Sequence, residues 1–157
     1  MRLALLLLAL AVLTILLIGG ILPSQRTGRA ETLIAAPPAR ILQEIAAVQD
    51  QSQWRDTVQS VHLTPEGWEE VTTRAEVITF QIVQQSATLI RLRFRSDAGY
   101  TGEWRAELTE VGPKTRIAVT ETSLTPSPIG RILSRLLFAP DAFATKYLAA
   151  LKSRIES

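Results

Sequence analysis

From Leu3 to Leu22 the chain carries no charged residue, and its only polar side chain is Thr14. Such a run has few ways to fold. It is 20 residues long, and a helix needs about 20 to cross the hydrocarbon core of a bilayer. A helix also satisfies its own backbone hydrogen bonds, which lipid cannot do. The rival is a cleaved signal sequence, whose apolar region runs about 7–15 residues before a small-residue cleavage site. Here the run is longer, and Gly28-Arg29-Ala30 is a poor small-x-small site well beyond it. The chain has no cysteine, which excludes a lipoprotein signal. The expectation is a single-pass membrane protein, with residues 1–26 as transmembrane anchor and linker and residues 27–157 as one soluble domain.

The flanking charges give conflicting accounts of topology. Arg26, Arg29 and Arg40 follow the run, and the positive-inside rule pulls a domain so flanked toward the cytoplasm. A very short N-terminal tail, as here, more often stays inside and sends the domain out. The expectation taken forward is an extracytoplasmic domain, with the cytoplasmic side as the alternative.

The remaining 27–157 segment suits one domain with a real core. With 17 Lys and Arg against 15 Asp and Glu, charge gives no reason to expect a nucleic-acid partner. Without cysteine there are no disulfides and no thiolate chemistry. His62 is the only histidine, so neither a typical zinc site nor a Ser-His-Asp triad is expected. Its expected role is that of a partly exposed strand residue. No glycine-rich phosphate or dinucleotide motif is present, and no cofactor or metal is expected.

Residues 23–28 read as a linker, with Pro, Ser, Thr and Gly close together. Residues 30–35 form a short strand. Pro37-Pro38 ends it and opens a helix, in which Ile41, Leu42, Ile45 and Val48 recur at helical spacing. A second short helix or turn spans 50–54. From Val58 the period drops toward two, predicting strands at 58–63, 68–73, 76–84, 88–95, 100–111 and 114–123. Turns fall at Pro65-Glu66-Gly67, Asp97-Ala98-Gly99 and Gly112-Pro113. Residues 129–138 are apolar and helical in pattern. Pro140 opens a terminal helix in which Phe143, Tyr147, Leu151 and Ile155 recur every four residues.

Strand parity predicts the faces. Residues opposite each other in a hairpin share a face. Ile78, Phe80 and Ile82 fall on one side of their strand, as do Ile90, Leu92 and Phe94 on the next. Setting these inward with Trp104, Ala106 and Leu108 places Arg91, Arg93 and Arg95 outward against Glu103, Arg105 and Glu107. A turn at Gly112-Pro113 then sets Ile117 and Val119 opposite Leu108 and Ala106, and turns Glu121 inward beside Trp104. A carboxylate on an apolar face needs a partner or takes a raised pKa, unless it sits in water at the sheet's open end, which is the reading set first. The fold class is α+β: strand, helix, a run of about six antiparallel strands, then a long terminal helix covering the apolar face.

Three segments resemble the START-like (SRPBCC) superfamily, the helix-grip fold that includes polyketide cyclase/dehydrase and lipid-transport proteins. They are AETLIAAPPARILQEIAAVQDQSQW from Ala30, GEWRAELTEVGPKTRIAVTE from Gly102 and FATKYLAALKSRIE from Phe143. ILPSQ from Ile21 is similar to membrane-anchored members. These are fold motifs and not catalytic ones. The resemblance implies a curved sheet of about seven strands gripping the C-terminal helix, with an apolar cavity between them. It implies that Phe80, Phe94, Trp104, Ala106, Phe143 and Tyr147 line that cavity, with Glu121 near its polar end. The expected function is a membrane-anchored domain binding or carrying a hydrophobic small molecule or lipid. The alternatives are a cyclase/dehydrase-type enzyme using Glu121 or Tyr147 as acid or base, or a non-binding accessory module of a membrane complex.

Overall fold

The computed structural model describes residues 2–157. A long apolar helix, α1 (Arg2–Ile21), leads into β1 (Gln25–Ile34), α2 (Pro38–Ala46), a single 3-10 turn (Val48–Asp50) and the short α3 (Gln51–Trp54). Six strands follow in a meander: β2 (Val58–Thr64), β3 (Gly67–Thr72), β4 (Val77–Gln85), β5 (Leu89–Ser96), β6 (Thr101–Val111) and β7 (Lys114–Leu124). Two helices close the chain, α4 (Pro128–Leu137) and α5 (Ala142–Glu156). The seven strands form one antiparallel sheet in the order β1-β7-β6-β5-β4-β3-β2. This is the α+β helix-grip architecture that strand parity and the motifs anticipate.

Pairing between β6 and β7 follows the expected register, with Leu108 opposite Ile117, Ala106 opposite Val119 and Trp104 opposite Glu121. Between β5 and β6, Ile90 faces Ala106 and Leu92 faces Trp104. Their inward side chains are buried together with Ile78, Phe80 and Phe94. Two details depart from expectation. Ile82 is 50 % exposed, because β4 runs beyond the covered part of the sheet and is bulged between Ile82 and Gln84. The outward charges also pair less well than foreseen. Arg93 meets Glu103 at 4.0 Å, but Arg91 faces Arg105 and Arg95 faces Thr101. Arg105 turns instead along its own strand to Glu107, at 2.5 Å. Exposed pairs of this kind contribute little stability.

The segment expected as a linker is largely strand. β1 starts at Gln25, paired with Leu124, and carries Gly28 opposite Glu121. A Cβ at Gly28 would lie 1.8 Å from the Pro140 carbonyl oxygen, so this glycine is required by the close crossing of the α4–α5 connection. On the other side of that crossing, α5 packs across β1 and β7. Its buried face is Ala144, Tyr147, Leu148 and Leu151. Phe143, expected on that face, is 39 % exposed, since α5 begins at Ala142 and its first turn overhangs the sheet.

α5 is clamped at its C-terminal end. Lys152 Nζ donates to the Leu33 carbonyl at 2.7 Å, and the Ala35 N–H donates to Glu156 Oε1 at 2.8 Å. Arg154 Nε donates to the buried Glu44 at 2.9 Å, and Arg40 adds a second contact to the same carboxylate at 3.3 Å.

α4 is of another kind. Ser127 caps its first turn, accepting from the Gly130 N–H at 3.3 Å, and Pro128 occupies the position where a missing N–H costs nothing. None of its residues is buried. It packs instead against α1, where a Cβ at Gly19 would lie 2.3 Å from the Pro128 carbonyl oxygen. The Arg131 guanidinium donates to the carbonyls of Gly19, Gly20 and Leu22 at 3.4, 3.3 and 3.2 Å. Arg135 reaches the Pro23 carbonyl at 2.7 Å, and Arg26 returns from β1 to the carbonyls of Ser134 and Phe138. Helix ends leave four carbonyls without intrahelical partners, and at the end of α1 Arg131 takes up two of them, Gly19 and Gly20.

Candidate functional site

The inner face holds two aromatic groups. Trp68 stacks on Phe80 with ring centroids 5.3 Å apart, Phe80 meets Phe94 at 5.9 Å, and Phe94 meets Tyr100 at 6.2 Å. Under α5, Tyr147 sits edge-on to Trp104 at 5.2 Å and to Trp54 at 5.7 Å. Such geometries suit the ring quadrupoles. Both groups belong to or pack against one buried cluster, in which Ala106 is fully enclosed between Ile90 and Val119. Phe143 lies at the rim, 5.9 Å from the Arg55 guanidinium carbon.

Polar groups converge on the second aromatic group. Trp104 is 4 % exposed and its Nε1–H is buried with no acceptor. Its cross-strand neighbour Glu121 is only partly exposed, and burial pushes its carboxyl up to about 7, with the Arg55 charge opposing the shift. The solvated open-end reading of Glu121 holds only in part, since the carboxyl is neither in open water nor fully enclosed. Val119 is the last buried residue of β7, and Glu121 lies two residues beyond it, partly exposed yet opposite the buried Trp104. Burial likewise pushes the Tyr147 phenol above its ordinary value, again opposed by Arg55.

Arg55 is the residue that sequence reasoning missed. It lies just after α3 and is buried, donating to Glu70 Oε1 at 2.8 Å and to Gln51 Oε1. Its guanidinium carbon stands 5.3 Å from the Tyr147 ring centroid. Glu70 also accepts from Trp68 Nε1 at 3.3 Å, and Gln51 Nε2 donates to the Ile45 carbonyl at 3.1 Å. A signal for half of this pair existed. Glu70 is two residues from Trp68, so the parity that turns Trp68 inward turns Glu70 inward as well. Arg55, in an irregular segment, carries no such periodicity.

The space between sheet and helix is nearly closed. A crevice of about 20 Å³, lined by Arg55, Asp56, Thr57, Phe143, Lys146, Tyr147 and Ala150, opens beside the N-terminal half of α5. That is room for roughly one water. A larger, open groove of about 430 Å³ lies outside the grip, bordered by Thr27, Gly28, Arg29, Pro140 and Asp141. His62 is exposed on β2 and contacts Ser60 Oγ at 3.2 Å. Among the described residues no cluster of three potential metal ligands occurs.

The architecture defines a class before any comparison is made. A seven-stranded antiparallel sheet gripping a C-terminal helix over an aromatic interior is the helix-grip fold. Solved structures agree. A START superfamily protein from Mycobacterium smegmatis superposes with a TM-score of 0.66 at 14 % identity, covering 83 % of this chain and 97 % of that one. The Zhui aromatase/cyclase from Streptomyces sp. R1128 gives 0.63 at 17 % identity, covering 84 % and 94 %. A protein from Thermus thermophilus gives 0.64 at 22 % identity, covering 83 % and 97 %. No protein-family model and no curated protein matches the chain. At these identities the likeness establishes the fold, and function rests on the site.

Proposed function

We propose that the chain is a membrane-anchored domain that binds or carries a hydrophobic small molecule, lipid-, polyketide- or quinone-like, between the sheet and α5. The observation that carries this reading is the Trp104 Nε1–H, buried without an acceptor beside a Glu121 carboxyl whose pKa is about 7. Buried donors are nearly always satisfied. An apolar ligand with one polar end supplies both the acceptor for Trp104 and the apolar area whose burial, at roughly 25 cal/mol per Å², drives binding. Phe80, Phe94, Ala106, Phe143 and Tyr147 complete the proposed lining. The helix-grip neighbours, which include an aromatase/cyclase, are consistent with it.

Uptake requires the crevice to widen. The C-terminal end of α5 is clamped by hydrogen bonds and ion pairs, whereas its N-terminal half is held by the packing of Ala144, Tyr147 and Leu148, by the Arg55 guanidinium over Phe143 and Tyr147, and by one exposed ion pair, Lys146 to Asp56 at 3.0 Å. Lifting that half exposes Tyr147 and Trp104. α1 is long and apolar enough to cross a membrane, and as an anchor it would hold the domain beside the phase where such ligands concentrate. A neutral Glu121 next to bound ligand would also serve a cyclase-type acid–base step.

The 20 Å³ crevice favours a second reading, in which the interior is a packed core and the chain is a non-binding accessory module of a membrane complex. Native mass spectrometry of the full-length protein, extracted in mild detergent, separates them. A discrete small-molecule adduct at one per chain is expected. A bare mass, together with unchanged tryptophan emission on titration with a fatty-acyl probe, sinks the binding reading and leaves the accessory module.

A further inference from the structure

Most amphipathic helices of a soluble domain turn their apolar stripe to the core. α4 does the reverse. Its Arg131 and Arg135 side chains and the Ser134 carbonyl face inward, engaged with the end of α1 and the start of β1. Ile129, Leu133, Leu136 and Leu137, at the i, i+4, i+7, i+8 spacing of one stripe, are exposed, Leu136 by 75 %. Phe138 extends the stripe past the helix end, 51 % exposed. Contiguous apolar surface of this kind marks a contact, and its position indicates which.

We propose that α4 lies in the interfacial layer of the same bilayer that α1 crosses, with the stripe from Ile129 to Phe138 set among the lipid acyl chains. The proposal rests on the anchor reading of α1. Three observations locate α4 at that depth. Gly19 lets Pro128 pack directly on the last turn of α1. Arg131 ties α4 to the terminal carbonyls of α1 at Gly19, Gly20 and Leu22. Arg135 and Arg26 repeat the tie on either side of the α1–β1 connection. The end of a spanning helix sits at the membrane surface, so a helix fastened to it sits there too. Interfacial helices combine a basic polar face with an apolar face that enters about 5–10 Å into the boundary between headgroups and chains. Five apolar residues held at that level would be costly in water and are stabilised in lipid. Since α4 runs directly into α5, this contact would also place the N-terminal half of α5 next to the bilayer.

The natural absence of cysteine makes the test clean. Full-length protein carrying one fluorophore, through Leu136→Cys or Leu137→Cys in α4, Leu10→Cys in α1 or His62→Cys on β2, is placed in nanodiscs of phosphatidylcholine with some phosphatidylglycerol. The two α4 positions provide independent readings should one label disturb the fold. Nitroxides attached high on the lipid chains are expected to quench the α4 probes more strongly than nitroxides at the chain ends. The His62→Cys probe should answer only to aqueous iodide. A Leu10→Cys probe in lipid with α4 probes open to iodide overturns the proposal and leaves the anchor intact. A Leu10→Cys probe in water overturns the anchor and the proposal together. Shielded α4 probes that lipid nitroxides do not quench, and that couple to each other between chains, assign the stripe to a second copy and also overturn it.

Discussion

Trp104 on β6 and Glu121 on β7 are direct cross-strand partners, so an unpaired indole N–H and a carboxyl with a pKa of about 7 share one face of the sheet. Neither group is comfortable there alone. The indole N–H is buried without a protein partner and the carboxyl is half-buried, so their adjacency sets two polar groups together on the apolar face.

The Glu121 carboxyl makes stability depend on pH in a defined direction. Its folded-state pKa is raised from 4.5 to about 7, so the folded protein binds the proton more tightly than the unfolded chain. The contribution is fully present below about pH 4.5 and is lost as pH rises toward and through 7. Urea unfolding at pH 5 and pH 8 should show the native protein losing about 1–3 kcal/mol relative to Glu121→Gln over that interval. Parallel pH profiles for the two proteins would falsify the burial of this group.

Arg55 and Glu70 form a buried ion pair at 2.8 Å. Removing one partner strands the other's charge, which costs about 3–5 kcal/mol. Arg55→Met is expected to fall in that range. Arg55→Met combined with Glu70→Met should recover much of the loss, and a double-mutant cycle in denaturant measures the coupling. Additive losses would show that the two side chains do not act as a pair.

Ala106 is enclosed on every side, and the nearby crevice holds only about 20 Å³. Ala106→Phe should therefore overpack the interior, at a cost of about 1–3 kcal/mol and several degrees of melting temperature. A variant that melts like the native protein while losing its small-molecule adduct would reveal a larger cavity in solution and strengthen the binding reading.

Gly28→Ala places a methyl 1.8 Å from the Pro140 carbonyl oxygen. Backbone must move to admit it, so calorimetry should show a lower melting temperature, corresponding to a destabilisation of about 1–3 kcal/mol. An unchanged melt would mean that the α4–α5 connection is not pressed onto β1.

The anchor has a structural check. Cleavage after Ala30 would remove residues 25–30, which pair with Leu124 through Val119 along more than half of β1. Full-length protein is expected to resist carbonate extraction with its N-terminus intact. Recovery of a stable soluble form starting near Glu31 would show instead that α1 is a signal sequence and that the sheet tolerates the loss.

Local patterns in the chain determined a good deal by themselves. The uncharged run is a helix because its length and composition permit little else. The inward set from Ile78 to Val119 follows from period two, since a one-residue slip would turn every one of those side chains to water. Trp104, Ala106 and Glu121 were legible on that ground, as neighbours on one face. What parity could not show is where the cover ends. Ile82 obeys the alternation yet lies beyond the covered part of the sheet, and Phe143 obeys the fourfold spacing yet overhangs it. Both outcomes depend on how far an element from a distant part of the chain extends. The same holds for Arg55, whose burial is tolerable only because Glu70 arrives from β3 to pair with it, and for Gly28, which reads locally as flexible linker but is a close crossing. α4 is the sharpest case. Its apolar, helical pattern is plain in the sequence, but which face turns inward was decided by tertiary structure, because the carbonyls at the end of α1 take Arg131 and the side chains at Ile129, Leu133, Leu136 and Leu137 are left outward.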